Sequence, residues 1–344
     1  MTLNKIIFYV LTIVSGFYLI ELTKISPIYI FFIISFIVFL ICNINKIRIK
    51  IEFLDKIVLV FIIYVIFSQL KYNNLKLALI FVFQFIYFLF YRLTANYVKV
   101  RYIRKAVVYF LYFNSILLFL EMIYRIFYPL INKLEINSYY AFKMNSMMFA
   151  DSNYVSMYIL CILGLIEYFN ISKRYKNFFY FLNFLTFSKS GILTMLLIPF
   201  IKQKNKYFKF LLIGIFFIGI YFIFLNSWTL KSKFYILKSM YVYMKNVPNK
   251  LEIFLFGVGL GNTSSKIGIG PHIIFINILF ELGMIGLSIF LTIWYLIYKE
   301  SNKKIKCIML PVIISGLTLM PLYMPYFYIF STLILKNENK FLRR

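Results

Sequence analysis

The chain has 344 residues, is 62% hydrophobic and 22% aromatic, and has a mean hydropathy of +0.85. Such a composition leaves too little polar surface to cover a water-soluble globule, and it predicts a polytopic membrane protein. The net charge of +27 falls in the breaks between apolar runs, which makes it a topology signal and argues against a nucleic-acid partner.

Taken in chain order, the apolar runs predict an all-α fold of about 12 membrane spans, near residues 6–22, 27–42, 57–70, 75–91, 107–130, 153–170, 177–186, 191–201, 207–225, 272–298, 305–320 and 322–335. The first run ends at Glu21 and Lys24 without a small-residue cleavage site, so it reads as an anchor. Runs 177–186 and 191–201 fall short of the roughly 20 residues a spanning helix needs, and read as broken or tilted. Cys42, Cys161 and Cys307 are far apart and show neither metal-ligand nor disulfide spacing, so they read as lipid-buried small residues. No acidic cluster points to a metal, and no cofactor is expected.

Placing the N-terminus inside assigns 25 of the 38 Lys and Arg residues to inner segments and 12 to outer ones. That bias predicts both termini in the cytoplasm. No linker or repeat interrupts the pattern, so residues 1–344 form a single integral membrane domain. Two loops long enough to hold a site, 131–152 and 226–271, fall on the outer face.

The candidate residues gather on that face. Arg125 follows Glu121 by four residues near the outer end of the fifth span, so the two share a helical face and pair; the arginine is either neutralised there or held for substrate. Asp151, Ser152 and Asn153 stand at the mouth of the sixth span, as a helix cap or as part of a site. Lys189 lies in the turn Ser188-Lys189-Ser190-Gly191 between the two short spans. Polar backbone at that depth is tolerated where it lines a protein-enclosed or wet cavity.

Between Thr229 and Asn246, the residues Leu230, Phe234, Leu237, Tyr241 and Met244 form an apolar stripe, with Lys231, Lys238 and Lys245 on one border and Lys233 on the other. This is the pattern of a helix lying in the membrane interface. The lysines either snorkel to the headgroups or gather a pyrophosphate-linked lipid. Gly257, Gly259, Gly261, Gly268 and Gly270 then run into Pro271 and His272, the only histidine of the chain. An ionisable group where a span begins is a candidate functional residue. Glu281 lies too far along the next helix to form a dyad with His272, and its expected partner is on another helix, with Gly283 and Gly286 allowing close approach. The glycines lack the preceding strand and following lysine of a nucleotide-binding loop.

The order of these features resembles the O-antigen polymerase and ligase superfamily, the Wzy-type membrane glycosyltransferases of bacterial surface polysaccharides. The resemblance runs from about Asp151 to Ile289, through Asp151-Ser152-Asn153, Ser188 to Gly191, Lys233-Phe234-Tyr235, Gly257 to Gly261, His272, and the Glu281 to Gly286 segment. It departs from the family at Lys189 and Lys233, where arginine is usual, and at Ile273, where asparagine is usual. The resemblance implies a membrane glycosyltransferase-like fold in the bacterial inner membrane and an undecaprenyl-pyrophosphate-linked oligosaccharide as donor. Membrane lipid and a chain-length regulator protein are the further partners it allows. Polymerisation of O-antigen, capsule or a related polysaccharide is the implied activity; glycan ligation and a non-enzymatic flippase or transporter remain alternatives. In that frame His272 or Asp151 is the base, and Arg125, Lys189 and Lys233 are the cationic clamp. Lys231, Lys238, Asn153, Glu281, Gly259 and Gly261 are candidate substrate contacts.

Overall fold

A computed structural model describes residues 2–20, 22–43, 51–72, 74–132, 141–149, 151–201, 207, 214, 228–270, 272–317 and 324–338. The described residues are helical, with no strand among them. In order they form α1 (Thr2–Ile13), α2 (Pro27–Asn43), α3 (Phe53–Leu70), α4 (Leu75–Asn96), a 3-10 turn (Val100–Tyr102), α5 (Ile103–Ile131), α6 (Ala141–Met144), α7 (Ser152–Phe169) and α8 (Lys173–Phe184). They continue as α9 (Lys189–Ile201), α10 (Trp228–Asn246), α11 (Lys250–Phe256), α12 (Thr263–Ile267), α13 (Ile274–Glu300), α14 (Lys306–Gly316) and α15 (Pro325–Glu338).

Among the described residues, five segments are long and apolar enough to cross a membrane: α3, α4, the 3-10 turn with α5, α7 and α13. The chain is therefore built as a helical membrane protein. Length alone does not reach the twelve expected spans. The runs at 6–22, 27–42 and 305–320 fold as shorter apolar helices, Leu3–Ile13, Pro27–Asn43 and Lys306–Gly316. The expected ninth span, 207–225, lies outside the described residues apart from single positions. The two short runs form the hairpin of α8 and α9.

Aromatic side chains explain much of the packing. Phe32 meets Phe83, Tyr87 and Phe90 edge-on, and Tyr158 packs on Tyr326 with ring centroids 4.8 Å apart. Rings bury large areas and interlock through edge-to-face contacts where no hydrophobic effect drives helices together in lipid. Polar contacts then sort the helix ends. Asn4 and Asn43 exchange amide hydrogen bonds, and Lys5 lies over the Tyr102 ring. Arg92 donates to Asp55 at 2.6 Å and to Glu52 at 2.7 Å, while Tyr168 donates to Glu338 at 2.5 Å. Because α15 runs beside α4, with Met324 near Gln84 and Tyr328 near Phe88, these ends form one end of the bundle.

The opposite end is organised by an interruption in α13. Gly283 has φ 71° and ψ −176°, which breaks the helix. A continuous helix would give the carbonyls of Phe280 and Glu281 to the N–H groups four residues later. Here Val258 N–H donates to Phe280 O and Gly259 N–H to Glu281 O, both at 2.9 Å. The Tyr64 hydroxyl donates to Leu282 O at 2.5 Å. The loop after α11 thus satisfies backbone groups that lipid could not. The approach is close enough that a Cβ on Gly283 would collide with Leu255 O, and one on Gly257 with Glu281 O. Gly283 thus gives the close helix contact expected of it, with the Leu255–Phe256 backbone in the last turn of α11, but it does so at a break in its own helix.

Candidate functional site

Two helix mouths meet at this end. At the first, Asp151 caps α7, its carboxylate accepting from Asn153 N–H at 2.8 Å and from Asn153 Nδ2 at 3.0 Å. Capping satisfies a donor that the first helical turn leaves open. Asn153 Oδ1 in turn accepts from Ser188 Oγ at 2.8 Å, and Ser188 Oγ also accepts from Gly191 N–H at 3.2 Å. Ser152 donates to Thr186 O, and Ser156 donates to Asn183 Oδ1 at 2.6 Å. A Cβ on Gly191 would strike Ser156 Oγ, which is why glycine stands there. The polar turn of the α8–α9 hairpin is therefore seated on the mouth of α7. Lys189 is the first residue of α9 and is exposed.

At the second mouth, His272 precedes α13 and is exposed. Lys233, on α10, is only 9% exposed and its Nζ donates to the His272 carbonyl at 3.4 Å. Burial pushes the Lys233 ammonium down to about 8. Desolvation also lowers the His272 pKa, and the Lys233 charge adds to that, while the Asp151 carboxylate opposes both. Charges influence each other strongly only at short range in a partly desolvated setting. Asp151, Lys233 and His272, which lie far apart in sequence, therefore form one electrostatic group. The imidazole is held in its neutral, proton-accepting form at neutral pH.

The other candidates are placed differently. Arg125 is fully buried; it donates to Glu121 at 3.0 Å, to Phe142 O at 2.9 Å and to Leu185 O at 2.8 Å. The Ser146 hydroxyl also reaches the Glu121 carboxylate. The guanidinium thus ties α5 to α6 and to the end of α8, and supports the hairpin from beneath. Glu281 is buried, and Thr263 Oγ1 lies 2.7 Å from Glu281 Oε1 and 2.8 Å from Asn277 Oδ1. Its partner comes from the short helix α12, as a group on another element. Gly259 gives its N–H to Glu281 O and abuts the Tyr72 ring. Gly261 is exposed, with its backbone at positive φ. Lys238 is exposed on α10, and the side chain of Lys231 lies outside the described residues.

α10 buries the face opposite the apolar stripe. Ile236, Met240 and Lys233 face inward, against Val258 and Phe280, whereas Phe234 and Tyr241 of the expected stripe are 65% and 68% exposed.

Sequence reasoning missed the supports of the glycine run. Tyr72 donates to Gly257 O at 2.8 Å, Asn74 to Leu260 O at 2.6 Å, and Gln69 accepts from Leu260 N–H at 2.7 Å. The available signal was the polar side chains at the end of an apolar run, which are retained in membrane proteins where they have a partner. Lys71 adds an ion pair to Glu252. Among the described residues no group of three or more His, Cys, Asp or Glu is gathered for a metal. No protein-family model matches the chain, and no curated protein matches it.

Proposed function

We propose that the chain is a membrane glycosyltransferase that joins undecaprenyl-pyrophosphate-linked oligosaccharide units into a bacterial surface polysaccharide, with the site on the outer face of the inner membrane. The observation that carries the reading is the buried Lys233 ammonium on the His272 carbonyl, with the Asp151 carboxylate near enough to act on the imidazole and the Asn153–Ser188 link beside Asp151. A neutral imidazole, a buried ammonium and a ring of hydroxyl and amide groups are the parts needed to move a proton and receive a phosphate.

In the proposed step, an acceptor hydroxyl of one unit attacks the anomeric carbon of another. The new C–O bond forms as the anomeric carbon–phosphate oxygen bond breaks, and lipid pyrophosphate leaves with the bonding electrons. His272 takes the hydroxyl proton, and Lys233 and Lys189 offset the charge developing on the leaving group. Asp151 and Asn153 fix the first mouth, and Arg125 holds the hairpin that carries Lys189. In this reading the positive-inside bias of the sequence puts both termini in the cytoplasm, with a twelve-span topology.

Glycan gels of a deletion strain test the assignment. Accumulation of single repeat units, restored to long chains by the intact gene, is the expected result. Free polymer lacking its acceptor would instead mark a ligase, and lipid-linked units held at the inner face would mark a flippase.

A further inference from the structure

α10 has an outward face that none of the described residues covers. Phe234, Tyr235, Tyr241 and Val242 are exposed by 65%, 57%, 68% and 44%, and Lys238 and Lys245 are exposed among them. The helix carries lysines and no acidic residue. It is not one of the span-length apolar helices, and its aromatic surface is interleaved with lysines. Rings interleaved with lysines suit the boundary between acyl chains and headgroups, where a ring keeps one side apolar and an ammonium reaches anionic phosphate.

The position of α10 agrees with its chemistry. Its inner edge, Ile236 and Met240, packs on Phe280 of α13 and on Val258, and Tyr243 meets Phe280 edge-on at 5.5 Å. Phe280 lies six residues beyond the first residue of α13, about 9 Å along the axis at 1.5 Å per residue. Interfacial helices bury their apolar face about 5–10 Å into the headgroup boundary. The helix is thus moored beside the mouth of a span at the depth of that layer.

We infer that the Phe234–Tyr241 face of α10 is a docking surface for anionic phospholipid of the bilayer that holds the protein, with Lys238 and Lys245 on the headgroups. Lys233, on the opposite edge of the same helix, is thereby kept over the His272 backbone by lipid contact as well as by protein contact. This inference concerns the surrounding bilayer and stands apart from the glycosyltransferase reading.

The test is site-directed spin labelling of the full chain in phosphatidylethanolamine–phosphatidylglycerol vesicles. Labels go singly on Phe234→Cys, Tyr241→Cys and, as a control on an exposed polar site of α12, Lys266→Cys, in a background where Cys42 and Cys307 are serine. Labels at 234 and 241 should collide more with oxygen than with a water-soluble nickel chelate, and the label at 266 should show the reverse. Lys238→Glu with Lys245→Glu should shift the 241 label toward the chelate, and so should vesicles without phosphatidylglycerol. Chelate access at 234 and 241 equal to that at 266 would overturn the inference. Labels shielded from both reagents would also overturn it, since they would mean that a protein covers the face. Insensitivity to lipid charge and to the two glutamates would remove the anionic-lipid assignment.

Discussion

At the scale of residues, His272 and Lys233 set opposing requirements. In the proposed reaction the first must be neutral to accept a proton, and its pKa is held below the ordinary 6.5 by partial desolvation and by the Lys233 charge. The second must be charged to receive phosphate, and it loses its proton as pH rises through about 8. Chain extension should therefore show an acid limb below pH 6.5 and an alkaline limb near pH 8, a bell-shaped profile measured as polymer formed against pH. Lys233→Arg keeps its charge at all accessible pH values and should move the alkaline limb upward. A limb that stays near 8 in that variant would assign it to another group. His272→Ala should reduce extension by about 10²- to 10⁴-fold at equal protein level, and His272→Gln separates proton transfer from hydrogen bonding. His272 and Asp151 were legible in the sequence because an ionisable group at the start of an apolar run stands out. Lys233 joined them only through the family resemblance, because the residue pattern does not say which edge of α10 is buried. Arg125 and Glu121 were legible as a pair at helical spacing, while the two carbonyls the arginine also binds come from remote segments.

At the scale of elements, the break in α13 and the glycine run are one device. Gly283 and Gly257 allow two backbones to touch, and Val258, Gly259 and Tyr64 complete the hydrogen bonds of the broken turn. Gly283→Ala puts a Cβ into Leu255 O at a φ of 71°, whereas Gly268→Ala has a similar φ of 74° with nothing within 4 Å. Backbone strain alone costs about 1–3 kcal/mol, so both variants should melt lower than wild type, and Gly283→Ala distinctly lower than Gly268→Ala by thermal unfolding in detergent. Equal melting temperatures would show that the close contact adds nothing. The positions of α3, α4, α5, α7 and α13 were legible because long apolar runs between basic breaks leave few alternatives. The break was hidden, since glycine is common in membrane helices and its partner loop lies more than twenty residues upstream.

At the scale of the whole molecule, the ends held by Arg92, Asn4, Lys5 and Glu338 face away from the end that carries Asp151, Lys233 and His272. That polarity suits an enzyme whose basic side faces the cytoplasm and whose chemistry faces outward. Composition made the helical membrane class plain, but span count was less so, because apolar helices shorter than a bilayer crossing leave the same trace in sequence as full spans. The most direct measurement uses the purified full chain in liposomes supplied only with undecaprenyl-pyrophosphate-linked repeat units. A ladder of lengthening lipid-linked glycans is expected, and it should disappear with His272→Ala while the variant remains folded. Lipid-linked units that stay single with the intact, folded chain, across the pH range where His272 is neutral and Lys233 charged, would contradict it.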